Sequence, residues 1–147
     1  MEVISLEVLP SFRNGFVCGK DNPIGLKVKI FKEKNIVNAE FIPEENHQGY
    51  KGIVHGGVIF SIMDEVMSRA VMVTKGIMTL TVEINIKYRK KAKVGKKIIF
   101  TAKMGRDLGR MVEAEGKAFL EDGILIAEAK GKFYDISKKM KKNNRIL

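Results

Sequence analysis

The sequence predicts an α+β fold in which one long central helix is wrapped by a curved antiparallel sheet of about five to six strands. Three observations predict it. Residues 57–73 form the one strong helical stretch, with Ile59, Ile62, Val66, Ala70 and Val73 on one face and Gly57, Phe60, Ser61, Asp64, Ser68 and Val71 on another. Residues 80–88 alternate strictly, apolar at even positions and polar at odd ones, which is the period of a half-buried strand. The order of elements, two strands, the helix, then four strands, leaves the helix no cover except the sheet itself.

Each remaining element has its own signal. Residues 26–31 and 36–42 alternate on either side of Lys32-Glu33-Lys34-Asn35 and read as a hairpin. Residues 43–51 are a polar loop. After the alternating strand come two weaker candidates, residues 97–104 and 111–120, joined by the turn-like Gly105-Arg106-Asp107-Leu108-Gly109. Glu121-Asp122-Gly123 then marks a turn into a last strand over residues 124–134. Residues 1–137 make one domain, and residues 138–147 read as a basic, solvated tail.

Composition narrows the class. The chain has 147 residues, 45% hydrophobic and 30% charged, enough for a real core. No apolar run approaches the ~20 residues of a membrane helix, and the N-terminus lacks the build of a signal peptide. A cytoplasmic protein without a membrane partner is expected. The lone Cys18 allows no disulfide within the chain and reads as structural. Net charge is +10, yet residues 1–86 sum to −1 and residues 87–147 to +11. Two runs supply the excess, one between Lys87 and Lys97 and one in the tail. Nucleic-acid binding would call for aromatic side chains interleaved with the basic ones, and only Tyr88 lies near, so no nucleic-acid partner is expected.

The residues with chemistry in them cluster at the start of the helix. His55-Gly56-Gly57 opens it, where unpaired N–H groups and partial positive charge suit a carbonyl or an anion. Asp64 lies further along, among small or apolar neighbours, where partial burial would raise its pKa and sharpen it as a base or nucleophile. Gly57 and Asp64 are seven residues apart, hence ~10 Å along one helix. A carbonyl held at the Gly57 amide is therefore out of reach of the same chain's Asp64. A second subunit with its helix antiparallel would bring its own Asp64 there, a site shared across a two-fold interface. His55 is open to three roles, base, helix cap or orienting group, and orientation of the loop is preferred. His47 and Gln48 stand in the preceding loop, and Gln48 has the reach to position a water or a carbonyl oxygen. The two histidines and one acid have no metal-ligand spacing, so no metal is expected.

These residues resemble a known family, the hotdog-fold acyl-CoA thioesterases of the branch related to phenylacetate-pathway and 4-hydroxybenzoyl-CoA thioesterases. The resemblance rests on the run from His47 to Gly57, Asp64 downstream, the upstream Asn22-Pro23-Ile24-Gly25-Leu26, and the strand that ends in a basic turn before Val94-Gly95. It covers about residues 16–135. It implies a homodimer with joined sheets, often a dimer of dimers, and acyl-CoA as the partner bound, with no cofactor beyond the coenzyme A of the substrate. The implied roles are the Gly57 amide polarising the thioester carbonyl and the facing subunit's Asp64 as nucleophile or general base. His55 and Gln48 would shape the loop, and Ser68 would position water. Gly56, Phe60 and His47 would line the substrate, and Arg89, Lys90, Lys91 and Lys93 would meet the coenzyme A phosphates. Relatives commonly have proline where Lys91 stands. The alternative is a non-catalytic hotdog protein that binds acyl-CoA as a sensor.

Overall fold

A computed structural model describes residues 6–139; residues 140–147, most of the expected tail, lie outside it. The elements are β1 (Glu7–Val8), β2 (Lys29–Glu33), β3 (Ile36–Phe41), α1 (Gly56–Lys75), β4 (Thr79–Tyr88), β5 (Ile98–Asp107), β6 (Met111–Leu120) and β7 (Leu125–Asp135). They form one antiparallel sheet in the order β1-β2-β3-β5-β6-β7-β4, wrapped around α1. This is the expected architecture with seven strands rather than five or six. The addition is the two-residue β1, too short to leave a periodic signal of its own. Among the described residues no helix is long and apolar enough to cross a membrane.

The helix is buried as its pattern requires, and more widely. Ile59, Ile62, Val66 and Ala70 face the sheet, joined by Met63, Met67 and Val71, all within the core. The close approach is set by a glycine: a Cβ at Gly116 of β6 would lie 2.6 Å from Met63 Sδ. A side chain there would push the helix off the middle of the sheet. Gly76, at φ 71°, ends the helix in the left-handed conformation.

A flank of α1 beside Ile62 is covered by the segment between β1 and β2, through a buried polar cluster that no sequence pattern announces. Arg69 is 1% exposed. Its Nε donates to Glu65 Oε1 at 3.4 Å, its Nη1 to the Pro10 carbonyl at 2.8 Å and its Nη2 to Cys18 Sγ at 3.2 Å. The guanidinium also stacks 4.1 Å over the Phe12 ring. Burial pushes the Cys18 thiol up, so it stays protonated and donates to Glu65. Cys18 is structural, as expected. Removing the cation leaves the Pro10 carbonyl without its partner and the part-buried Glu65 carboxylate with only the Cys18 thiol. Arg69→Met is expected to lower unfolding free energy by about 3 kcal/mol in urea titration, and Arg69→Met with Glu65→Gln to recover part of it. A loss below ~1 kcal/mol for the single variant would mean that the cluster is solvated.

Candidate active site

The loop before α1 is shaped by its own backbone. His55 N–H donates to the His47 carbonyl and Gly49 N–H to the Ile53 carbonyl, both at 2.9 Å. Gln48 Oε1 accepts from Gly52 N–H at 2.9 Å, so Gln48 closes the loop on itself. The basic turn after β4 packs against this loop: Val54 N–H donates to the Ala92 carbonyl and Val94 N–H to the Gly52 carbonyl. The turn closes through these bonds with Lys91 in place of a proline. His47 is turned elsewhere. Its Nδ1 accepts from Glu44 N–H and its ring lies 5.1 Å from Phe41, on a cavity lined by Pro23, Ile24 and Phe41 that contains neither Gly56 nor Asp64.

At the helix start, His55 is the N-cap, and its Nδ1 accepts from Gly57 N–H at 2.8 Å. That bond corrects one expectation. The Gly57 amide, expected to polarise a carbonyl, is already taken. Val58 N–H donates to the His55 carbonyl at 3.0 Å. Gly56 N–H has no partner among the described residues and is the open donor of the first turn. His55 is thus both cap and orienting group, and its use of Nδ1 as acceptor fixes the ring proton on Nε2.

Asp64 lies eight residues beyond Gly56, ~12 Å along the helix. Its Oδ1 accepts from the Thr81 hydroxyl at 2.6 Å. Burial holds its pKa above the ordinary carboxylate value, with the Thr81 hydrogen bond opposing and the nearby Glu65 charge reinforcing the rise. Ser68, the hydroxyl expected beside Asp64, instead donates back to the Glu65 carbonyl at 3.0 Å. Thr81 takes its place at the carboxylate.

Thr81 reaches Asp64 because β4 carries a bulge. Thr81 stands opposite Phe133 and Glu83 opposite Lys132, with Val82 inserted between. Beyond the bulge Ile84, Ile86 and Tyr88 face inward opposite Gly131, Ala129 and Ala127. Strict alternation sends Thr81 outward; the extra residue brings it to the inner face. The same irregularity leaves Leu80 61% and Val82 55% exposed on the sheet's edge strand.

Of the basic residues, Arg89 is engaged with Glu128 at 3.1 Å. Lys90, Lys91 and Lys93 line a cavity of about 680 Å³ together with Lys96 and Lys97, floored by Leu120 and Ile124. Phe60 is half-buried on the helix. No cluster of His, Cys, Asp or Glu among the described residues has the arrangement of a metal site.

A curved sheet around one helix, with an open helix-start amide and a half-buried carboxylate two turns on, defines a hotdog-fold protein. The model of the thioesterase superfamily matches residues 51–127, more than half of the chain, and the chain belongs to that family. It is 36% identical over 69 residues to mouse acyl-coenzyme A thioesterase 13, covering 44% of this chain and 49% of the relative, so it spans about half the length of that protein. The human protein of the same name is 33% identical over 99 residues, covering 64% of this chain and 69% of its own. The solved structure of zebra fish thioesterase superfamily member 2 superposes with a TM-score of 0.70 at 26% identity, over 78% of this chain and 88% of that one.

Proposed function

We propose that this protein hydrolyses the thioester of an acyl- or aryl-CoA to the free acid and coenzyme A. The observation that carries the reading is the pairing of an open Gly56 amide with an Asp64 carboxylate that Thr81 holds and burial makes more basic. In the general-base form Asp64 takes a proton from water as its oxygen attacks the carbonyl carbon. The Gly56 N–H stabilises the oxyanion, and collapse breaks the C–S bond and expels the coenzyme A thiolate. In the nucleophilic form Asp64 attacks first and water cleaves the resulting anhydride. Thr81 fixes the carboxylate rotamer in either case. The names of the mouse and human relatives support the choice of coenzyme A thioesters.

The ~12 Å between Gly56 and Asp64 supports a homodimer in which each site takes one group from each chain. The exposed Leu80 and Val82 beside Thr81, on an edge strand, are apolar surface suited to such an interface. The lysine cavity suits the phosphates of coenzyme A: Lys90, Lys91 and Lys93 offer ammonium groups, with Lys96 added to the set expected, while Arg89 is held by Glu128 and Lys97 by Glu40, and Glu121 and Asp122 line the same cavity. Lys90→Glu with Lys91→Glu is expected to raise KM for acyl-CoA at least ~10-fold and to leave KM for the matching acyl-pantetheine unchanged. An equal rise for both substrates would remove the phosphates from that cavity.

The direct test is a panel of acyl- and aryl-CoAs assayed with a thiol reagent on wild type and Asp64→Asn. Turnover abolished by the substitution is expected. Tight acyl-CoA binding without turnover on any chain length would make the protein a binding module instead.

A further inference from the structure

The Gly56–Gly57 pair that carries the open donor is the most flexible dipeptide the chain could place at a reacting centre. Its conformation is set from outside. Tyr88, the last residue of β4, donates its hydroxyl to the Gly56 carbonyl at 2.7 Å, and its ring is packed on Gly56, where a Cβ would lie 3.4 Å from Cζ. The N–H of that same peptide unit belongs to Gly57 and donates to His55 Nδ1. One peptide plane is therefore gripped at both ends, its oxygen by the sheet and its hydrogen by the cap. The preceding peptide is held at its carbonyl by Val58 N–H, and only its own N–H, that of Gly56, is left pointing at no partner among the described residues.

We propose that Tyr88 is a positioning residue of the reaction: its hydroxyl and His55 Nδ1 clamp the Gly56–Gly57 peptide, and the clamp aims the Gly56 N–H at the substrate carbonyl. The inference rests on the thioester-hydrolysis reading and adds to it a residue that acts through the Gly56–Gly57 peptide. An oxyanion donor is effective only when it needs no reorientation as charge develops. Two successive glycines supply none of that rigidity, so a group from the sheet must. Burial pushes the phenol up, so the hydroxyl remains a donor throughout the ordinary assay range. Its location links the clamp to the basic turn, since Arg89 follows directly in the chain.

The test compares wild type, Tyr88→Phe and a protein with 3,5-difluorotyrosine at position 88. Tyr88→Phe retains the ring and loses the donor; kcat is expected to fall about tenfold with KM within about twofold. Hydrogen exchange of the Gly57 amide, followed by NMR without any substrate, is expected to accelerate while the amides in the middle of α1 stay protected. In the fluorinated protein kcat is expected to decline as pH rises through the lowered phenol pKa. His55, Asp64 and Arg89 are common to both proteins, so the difference from wild type reports the phenol. Unchanged kcat in Tyr88→Phe, unchanged Gly57 exchange, or a fall in Tm alone would overturn the clamp. If Tyr88→Phe does not fold, the fluorinated protein decides, and a pH profile superposing on wild type sinks the proposal. If wild type cleaves no thioester, the hydrolytic reading fails on its own, and Gly57 exchange still reports whether Tyr88 holds the peptide.

Discussion

Asp64→Asn is expected to lower kcat by about 10²–10⁴-fold and, at neutral pH, to leave the protein at least as stable as wild type. The two halves of the result have one cause. Burial raises the folded-state pKa of Asp64 above its ordinary value, so the fold disfavours the carboxylate that the chemistry requires. The sign follows from linkage. A raised folded pKa gives a stabilisation that is fully present below the unfolded pKa, where the group is protonated in both states, and that is lost as pH rises through the folded pKa. Asparagine is neutral at every pH, and its Oδ1 still accepts from Thr81. Its advantage over wild type is therefore largest at neutral pH and shrinks to nothing near pH ~4. Thermal unfolding of both proteins across that range checks it. The rate profile has the same origin: kcat/KM for wild type rises with pH along a limb centred above the ordinary aspartate value. An Asp64→Asn variant that turns over acyl-CoA at a rate near that of wild type, or one less stable than wild type at pH 7, would contradict the role given to this carboxylate.

Much of this molecule is legible in its sequence, and the failures have local physical causes. The helix is legible because its apolar face repeats over four turns, and the strands after it because alternation and a Glu-Asp-Gly turn are strong signals. The part of the site on the helix is legible for the same reason: His55, Gly56, Gly57 and Asp64 are close in the chain. Thr81 is not. Leu80, Val82, Ile84, Ile86 and Tyr88 look like one face of a strand, and only the register with β7 reveals that Val82 is an inserted residue. A bulge without glycine leaves no mark on composition. The sequence points to Ser68 rather than Thr81 because neighbours on a helix can be counted and neighbours across a sheet cannot. The exchange of Gly57 for Gly56 has a similar origin. Both amides are available at a helix start, and the choice is made by which of them the His55 ring caps. The role of Arg69 is hidden because its partners Pro10, Phe12 and Cys18 lie over 50 residues away in the chain.

Gly56→Pro is expected to fold and to lose about 10²–10³-fold in kcat, and its mixture with Asp64→Asn is expected to regain activity that neither has alone. Proline removes the amide hydrogen and sets its ring beside Tyr88, where a Cβ meets Cζ at 3.4 Å, an ordinary contact. Position 56 is the first residue of α1, where proline's missing donor and fixed φ are compatible with the helix. Gly56 is not among the residues with positive φ, and His55 has the extended conformation, ψ 132°, that proline demands of the residue before it. The variant thus deletes the proposed oxyanion donor and leaves the carboxylate. Asp64→Asn does the reverse. The two groups lie ~12 Å apart along one rigid helix, while a carbonyl must sit within ~3 Å of its donor and within reach of its base. Two chains related by a two-fold axis resolve the conflict, and then each heterodimer contains one site with both groups intact and one with neither. Random exchange makes half of the dimers mixed, so activity is expected to return to about a quarter of wild type, rising with the time allowed for subunits to exchange. A site contained in one chain gives no such recovery, because every chain in the mixture lacks one group. Silence from a mixture shown to have exchanged, with both variants folded, would end the shared-site reading and place the Asp64 carboxylate and its carbonyl within a single subunit.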